Sequence, residues 1–189
     1  MESKVYKKKN RTTEAGRFKT LLRVFMLGSY GAMRQGEVWA LPLDRIDLEQ
    51  GKIYISPVDQ DGGLSKDGKP IHVKFKPKSG RDDWQPIVGK LRDFLAEDLA
   101  NRNEDERWFL DKGDGSVWFA SPDGITKAIK KILDELGIEG GAIHFFRKAR
   151  LNEIWENNTN DSTKFGRHQN QDTTEQHYTS GEKPEGLVE

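Results

Sequence analysis

The chain has 189 residues, enough for one domain with a sizeable core, and 33% of them are charged against 34% hydrophobic. Its formal net charge is zero and it has no cysteine, which excludes disulfides, thiolate chemistry and cysteine-built metal sites. No apolar run is long enough to cross a membrane and no signal peptide opens the sequence, so a cytoplasmic protein is expected.

The neutral total conceals an uneven distribution. Residues 1–20 carry seven basic side chains against two acidic ones, and residues 66–81 carry six against one. The acids collect around 93–115 and in the last eight residues. Two basic stretches in a neutral chain fit a protein with one nucleic-acid face. Residues 1–13 read as a basic arm.

In chain order, residues 14–29 predict a helix. Phe18, Leu21, Leu22, Phe25 and Met26 give it one apolar face, and Gly28 and Gly31 break it. A short second helix starts near Arg34 and ends before Pro42. Residues 46–48 and 52–56 read as strands around a Glu-Gln-Gly turn, followed by a polar, glycine-rich excursion over 57–70. His72, Lys74 and Lys76 alternate with Ile71, Val73 and Phe75, which predicts a strand with one basic face. Ser79-Gly80 marks a turn, and 84–87 a returning strand. Residues 87–100 are helical, with Leu91, Leu95 and Leu99 on one side. Short apolar pieces at 108–110 and 117–119 flank a Gly-Asp-Gly turn. Ser121-Pro122-Asp123 opens a helix that runs to Leu136 and stops at Gly137. Another helix covers 143–155, and short ones are expected near Ser162 and over 174–178. The sum is an α+β domain, mainly helical, with one small antiparallel sheet that has a basic tip.

Four local patterns carry the chemistry. Gly31-Ala32-Met33-Arg34-Gln35-Gly36-Glu37-Val38 precedes Leu41 and the stretch 44–48. Lys78-Ser79-Gly80-Arg81 leads into Pro86-Ile87. His144-Phe145-Phe146-Arg147 lies on the predicted helix at 143–155. Gly166-Arg167-His168 is followed by Thr173-Thr174 and Tyr178. Each alone is commonplace: an Arg-x-x-Glu on a helix is usually an ion pair, and a lone tyrosine usually a half-buried aromatic. Their order and combination resemble the catalytic domain of the tyrosine recombinases, the phage-integrase family. The four correspond to its Gly-x-Arg-x-x-Glu box, its Lys-Thr-Gly hairpin turn, its His-x-Leu-Arg, and its Gly-His followed by Thr-Thr and Tyr. The chain departs from these patterns in places. Ala32 stands two before Arg34, where the family has glycine, and Phe146 replaces leucine. Arg167 separates Gly166 from His168, and the excursion at 57–70 is longer than the family's hairpin.

The resemblance implies a catalytic set of Arg34, Lys78, His144, Arg147, His168 and Tyr178, supported by Glu37. The chemistry is coherent on its own terms. Tyrosine, with a pKa of about 10, is a poor nucleophile until a base and cations assist it. Arg34 and Arg147 can grip the non-bridging oxygens of a phosphodiester bidentately and stay charged. Lys78 can protonate the leaving 5′ oxygen, with Lys76 and then Lys66 as alternatives. His144 or His168 can take the tyrosine proton. Glu37, three residues after Arg34, can orient its guanidinium.

The activity so implied is site-specific DNA cleavage and rejoining through a 3′-phosphotyrosyl intermediate, without metal, ATP or other cofactor. A type IB topoisomerase-like enzyme or a non-cutting nucleic-acid-binding module are the alternatives. The partner is double-stranded DNA, bound by a homotetramer assembled from monomers. Residues 1–178 form the single catalytic domain, and 179–189 a tail that is mobile or docks on a neighbouring subunit. The family's usual DNA-clamping domain would precede the Arg34 box, where only about thirty residues stand here.

Overall fold

The computed structural model describes residues 14–138, 143–157 and 165–166. Helix α1 (Glu14–Ser29) lies where the periodicity puts it but buries a different face. Phe18 is 70% exposed, and Leu22 and Phe25 remain partly exposed; Thr20, Arg23, Val24 and Leu27 are buried with Met26. An ion pair selects the face. Arg23 Nε donates to Asp98 Oδ1 at 2.9 Å from inside the fold, and a buried charge that finds its partner overrides apolar spacing. Asp98 belongs to α3 (Gly89–Ala100), whose Leu91 and Leu95 are buried as expected. Arg102 Nη2 also reaches Asp98, at 2.5 Å, and its Nη1 reaches Glu106 at 2.7 Å.

Gly28 does not break α1; it makes room for another helix. A Cβ there would stand 2.9 Å from Ile143 Cγ1, at the start of α5 (Ile143–Asn157). Beside it the rings of Phe25 and Phe146 meet edge to face at 5.2 Å. The amides of Tyr30 and Gly31 then close the helix on the Met26 carbonyl, at 3.0 and 3.3 Å. The short α2 (Gln35–Trp39) follows, ending before Pro42 as expected.

The expected single sheet is two. Strands β1 (Ile46–Asp47), β2 (Lys52–Ile55) and β5 (Asp83–Pro86) form one antiparallel sheet in the order β1-β2-β5. The excursion over 57–70 contains all of β3 (Val58–Leu64), which pairs with β4 (Pro70–Phe75) as a separate hairpin inserted between β2 and β5. The glycines that read as loop are accommodated on a strand whose pairing shifts register between Asp61 and Leu64. The predicted basic face of β4 is answered across the hairpin: His72 Nε2 lies 2.6 Å and Lys74 Nζ 3.7 Å from Asp59. The hairpin's other face buries Val58, Ile71 and Val73 in the core.

The pieces at 108–110 and 117–119 cross the core, with Trp108, Phe109, Leu110 and Val117 buried. The Asp111 carboxylate organises the loop between them, accepting backbone N–H bonds from Arg107, Trp108, Gly113, Asp114 and Gly115. Helix α4 (Pro122–Glu135) starts on its proline, buries Ile125, Ile129 and Leu133, and stops at Gly137, where φ is +70°. The fold class is α+β as expected: helices around one apolar core, with two small antiparallel sheets on the side that carries Lys78. Among the described residues no helix is long and apolar enough to cross a membrane. The basic arm over 1–13, the expected short helices near 162 and over 174–178, and the tail over 179–189 lie outside the described residues.

Candidate active site

Arg34 is the last residue before α2, with extended backbone. Its own N–H donates to Glu37 Oε2 at 2.7 Å, and its Nη1 donates to Glu37 Oε1 at 3.1 Å. One carboxylate thus caps the helix and holds the guanidinium. The Glu37 side chain is 3% exposed and that of Arg34 25%, so the pair sits at the base of the site with the cation turned outward. Gln35, which the sequence reading passed over, ties this corner to α4. Its Nε2 donates to the Pro122 carbonyl at 2.5 Å and its Oε1 accepts from Thr126 Oγ1 at 2.8 Å. Trp39 Nε1 adds a bond to the Phe119 carbonyl at 2.9 Å.

His144 and Arg147 come from the first turns of α5, three positions apart and therefore neighbours on its surface. Arg147 is 3% exposed. Its Nη1 donates to the carbonyl of Ala32, two residues before Arg34, and its Nη2 donates to the carbonyl of Gly166 at 2.5 Å. The two arginines, 113 positions apart in sequence, therefore meet at the Arg34 box.

Lys78 is exposed on the turn from β4 to β5, closed by the Gly80 N–H on the Pro77 carbonyl at 2.9 Å. The turn differs from a simple hairpin tip, because β4 pairs with β3 and β5 with β2. It carries the chain from one sheet to the other.

These residues share one electrostatic environment. The imidazole of His144 is held below its ordinary pKa, first by partial burial, then by the positive charges of Arg147, Arg34 and Lys78. A helix, a helix cap and a sheet-to-sheet turn thus deliver three cations to one imidazole. Neither Lys76 nor Lys66 is among the charges acting on His144. His168 and Tyr178 lie outside the described residues. Among the described residues no cluster of three or more His, Cys, Asp or Glu could hold a metal ion. A cationic pocket of this kind can bind a phosphate diester and stabilise extra negative charge on it.

No protein-family profile matches the sequence. No curated protein matches it. Solved structures do match in fold. The XerA recombinase superimposes with a TM-score of 0.60 at 16% identity, over 87% of this chain and 58% of its own. The Tn1549 transposon integrase in complex with transposon right-end DNA gives 0.62 at 14% identity, over 94% and 59%. The XerH site-specific recombinase in a post-cleavage complex with a palindromic difH substrate gives 0.51 at 15% identity, over 89% and 44%. The chain spans less than two thirds of each of these structures. The fold is that of a tyrosine-recombinase catalytic domain.

Proposed function

We propose that this chain is a DNA-cleaving and DNA-rejoining catalytic domain of the tyrosine-recombinase type, with Tyr178 as nucleophile. The observation that carries the reading is that Arg147 of α5 donates to the Ala32 carbonyl, two residues before Arg34, while Lys78 on the sheet-to-sheet turn acts on the neighbouring His144. Core packing gives no reason for three cations from separate elements to face one imidazole, whereas a phosphate diester does. The structural neighbours, some of them DNA complexes, favour the same reading.

In the proposed reaction the Tyr178 oxygen attacks the scissile phosphorus and the bond to the 5′ oxygen breaks. The tyrosine proton passes to a histidine, His144 or His168, and Lys78 gives a proton to the departing 5′ oxygen. Arg34 and Arg147 hold the non-bridging oxygens, where charge grows in the transition state. A guanidinium carries five N–H donors, so carbonyl contacts and phosphate contacts can coexist on Arg147. His144, whose pKa is lowered first by burial and then by the nearby cations, stays in the neutral form that can accept a proton. The reverse steps, with a second strand's 5′ hydroxyl as attacker, reseal the DNA. The phosphotyrosyl bond conserves the energy, so no ATP is consumed. On this reading the working assembly is a tetramer on double-stranded DNA in the cytoplasm, formed from monomers.

A duplex nicked beside the scissile phosphate tests the proposal, because the short 5′ fragment diffuses away and traps the covalent complex. Peptide mapping should place DNA on Tyr178, and Tyr178→Phe should abolish the adduct while leaving DNA affinity unchanged. DNA binding with no adduct on any such substrate would make the chain a nucleic-acid-binding module instead.

A further inference from the structure

Among the described residues Ala32 is the single non-glycine with positive φ, at +46°. An L-residue enters that region against the clash of its Cβ with the backbone, so surrounding contacts must hold it there. Those contacts are specific. The side chain is completely buried. The next amide, of Met33, reaches back to the Leu27 carbonyl at 3.0 Å and satisfies an end group of α1. The Ala32 carbonyl itself accepts from Arg147 Nη1.

A right-handed Ala32 would rotate its carbonyl away from Arg147 and withdraw the Met33 amide from Leu27. The preceding residue cannot take over this work by moving closer to the helix. A Cβ on Gly31 would already stand 2.7 Å from the Leu27 carbonyl, so the chain is pressed against the end of α1 there. Immediately afterwards come Arg34 and its clamp on Glu37.

We propose that Ala32 is a positioning residue, whose left-handed backbone aims its carbonyl at Arg147 and so sets the plane of that guanidinium relative to Arg34. The inference rests on the proposed function. The Ala32 and Gly166 carbonyls take different nitrogens of one guanidinium. Two anchors on two nitrogens fix the orientation of a planar fork, which bidentate phosphate binding requires.

The test compares Ala32→Gly, which accepts positive φ freely, with Ala32→Val, which resists it. Cleavage of the nicked duplex is measured at saturating DNA, and DNA affinity separately. Ala32→Gly should cleave at close to the parent rate. Ala32→Val should bind DNA as before but cleave about 10–100-fold more slowly, the scale of a small misplacement of a catalytic group. Replacing a non-bridging oxygen of the scissile phosphate by methyl removes a charge that the arginines serve, so it should restore much of the loss. A folded Ala32→Val protein that cleaves at the parent rate overturns the inference, as does a loss the methylphosphonate does not relieve.

If Ala32→Val does not fold, the parent protein still decides. Its Arg147 Nη resonances, assigned by their disappearance in Arg147→Lys, should be separate and slowly exchanging in the nitrogen NMR spectrum. A single averaged signal would overturn the positioning role. Failure of the parent chain to form any covalent adduct would instead count against the proposed function, and the resonances report on the guanidinium regardless.

Discussion

Two groups of charged side chains in this fold are built on different plans. Arg23, Asp98, Arg102 and Glu106 form a set of two cations and two anions, with every side chain 8% exposed or less, and the half-exposed Lys19 reaches Asp98 from its edge at 3.9 Å. Phe109 lies under both guanidinium groups. Burial and Arg102 lower the pKa of Arg23, opposed by Asp98 and Glu106. The set at Arg34 is arranged differently: three cations from separate elements act on one imidazole, and one of them, Arg34, is paired with Glu37. In the first set each buried guanidinium has a carboxylate within reach, so removing a carboxylate strands a buried charge. On the proposed function, the second set serves a phosphate and its loss is felt in cleavage.

Breaking the first set should have the largest effect. Asp98→Ala leaves two buried guanidinium groups without their shared carboxylate and should cost about 3–5 kcal/mol in urea unfolding. A cost below about 1 kcal/mol, typical of an exposed pair, would show that the quartet is only a surface network. Arg34→Ala should reverse the pattern: cleavage falls by about 10²–10³-fold while unfolding changes little. Arg34→Lys should be nearly as slow, since an ammonium cannot make the bidentate fork.

Lys78→Ala comes next, with a cleavage loss of about 100-fold. A substrate with sulfur at the 5′-bridging position has a leaving group that needs no proton and should rescue it. Selective rescue of Lys76→Ala would transfer the role to that residue. The smallest effect concerns pH. The folded pKa of His144 lies below the ordinary imidazole value, so the unfolded chain binds a proton first as pH falls. Stability should therefore decline as acidification passes through the ordinary imidazole range and level off below the folded pKa. His144→Gln should flatten that part of the profile, measured by thermal unfolding between neutral and mildly acidic pH.

The two charge groups were not equally legible in the sequence. Arg34, Lys78, His144 and Arg147 stand in short patterns whose order is informative, and the fold gathers them. In the quartet Asp98, Arg102 and Glu106 are local i,i+4 partners, but nothing in the sequence signals that Arg23 joins them, because it does so through tertiary packing of α1 against α3. That omission also shifted the buried face of α1: of Phe18, Leu21, Leu22, Phe25 and Met26, which apolar spacing indicated, Met26 is buried and Leu21 half-buried, while Phe18 is exposed and Arg23 turns inward. The hairpin of β3 and β4 was half read. Alternation revealed β4, whereas the glycines and aspartates of β3 looked like a loop until pairing supplied their partners. Ala32 illustrates a subtler limit. The sequence shows an alanine where the resembled family has glycine, but not that the backbone there keeps a glycine-like angle of +46°.

The inserted hairpin has a practical consequence. The end of β3 nearest its turn is fastened to the body: the Val117 N–H donates to the Gly62 carbonyl at 2.9 Å, and Lys112 Nζ to the Leu64 carbonyl at 2.5 Å. Its tip closes on itself, with the Ser65 N–H on the Lys69 carbonyl at 2.7 Å and the Lys69 N–H on Ser65 Oγ at 2.9 Å. Nothing lies within 4 Å of a Cβ built on Gly68. Position 68 faces open space but has a φ of +76°, so a loop inserted beside Gly68 should be tolerated better than a side chain in its place.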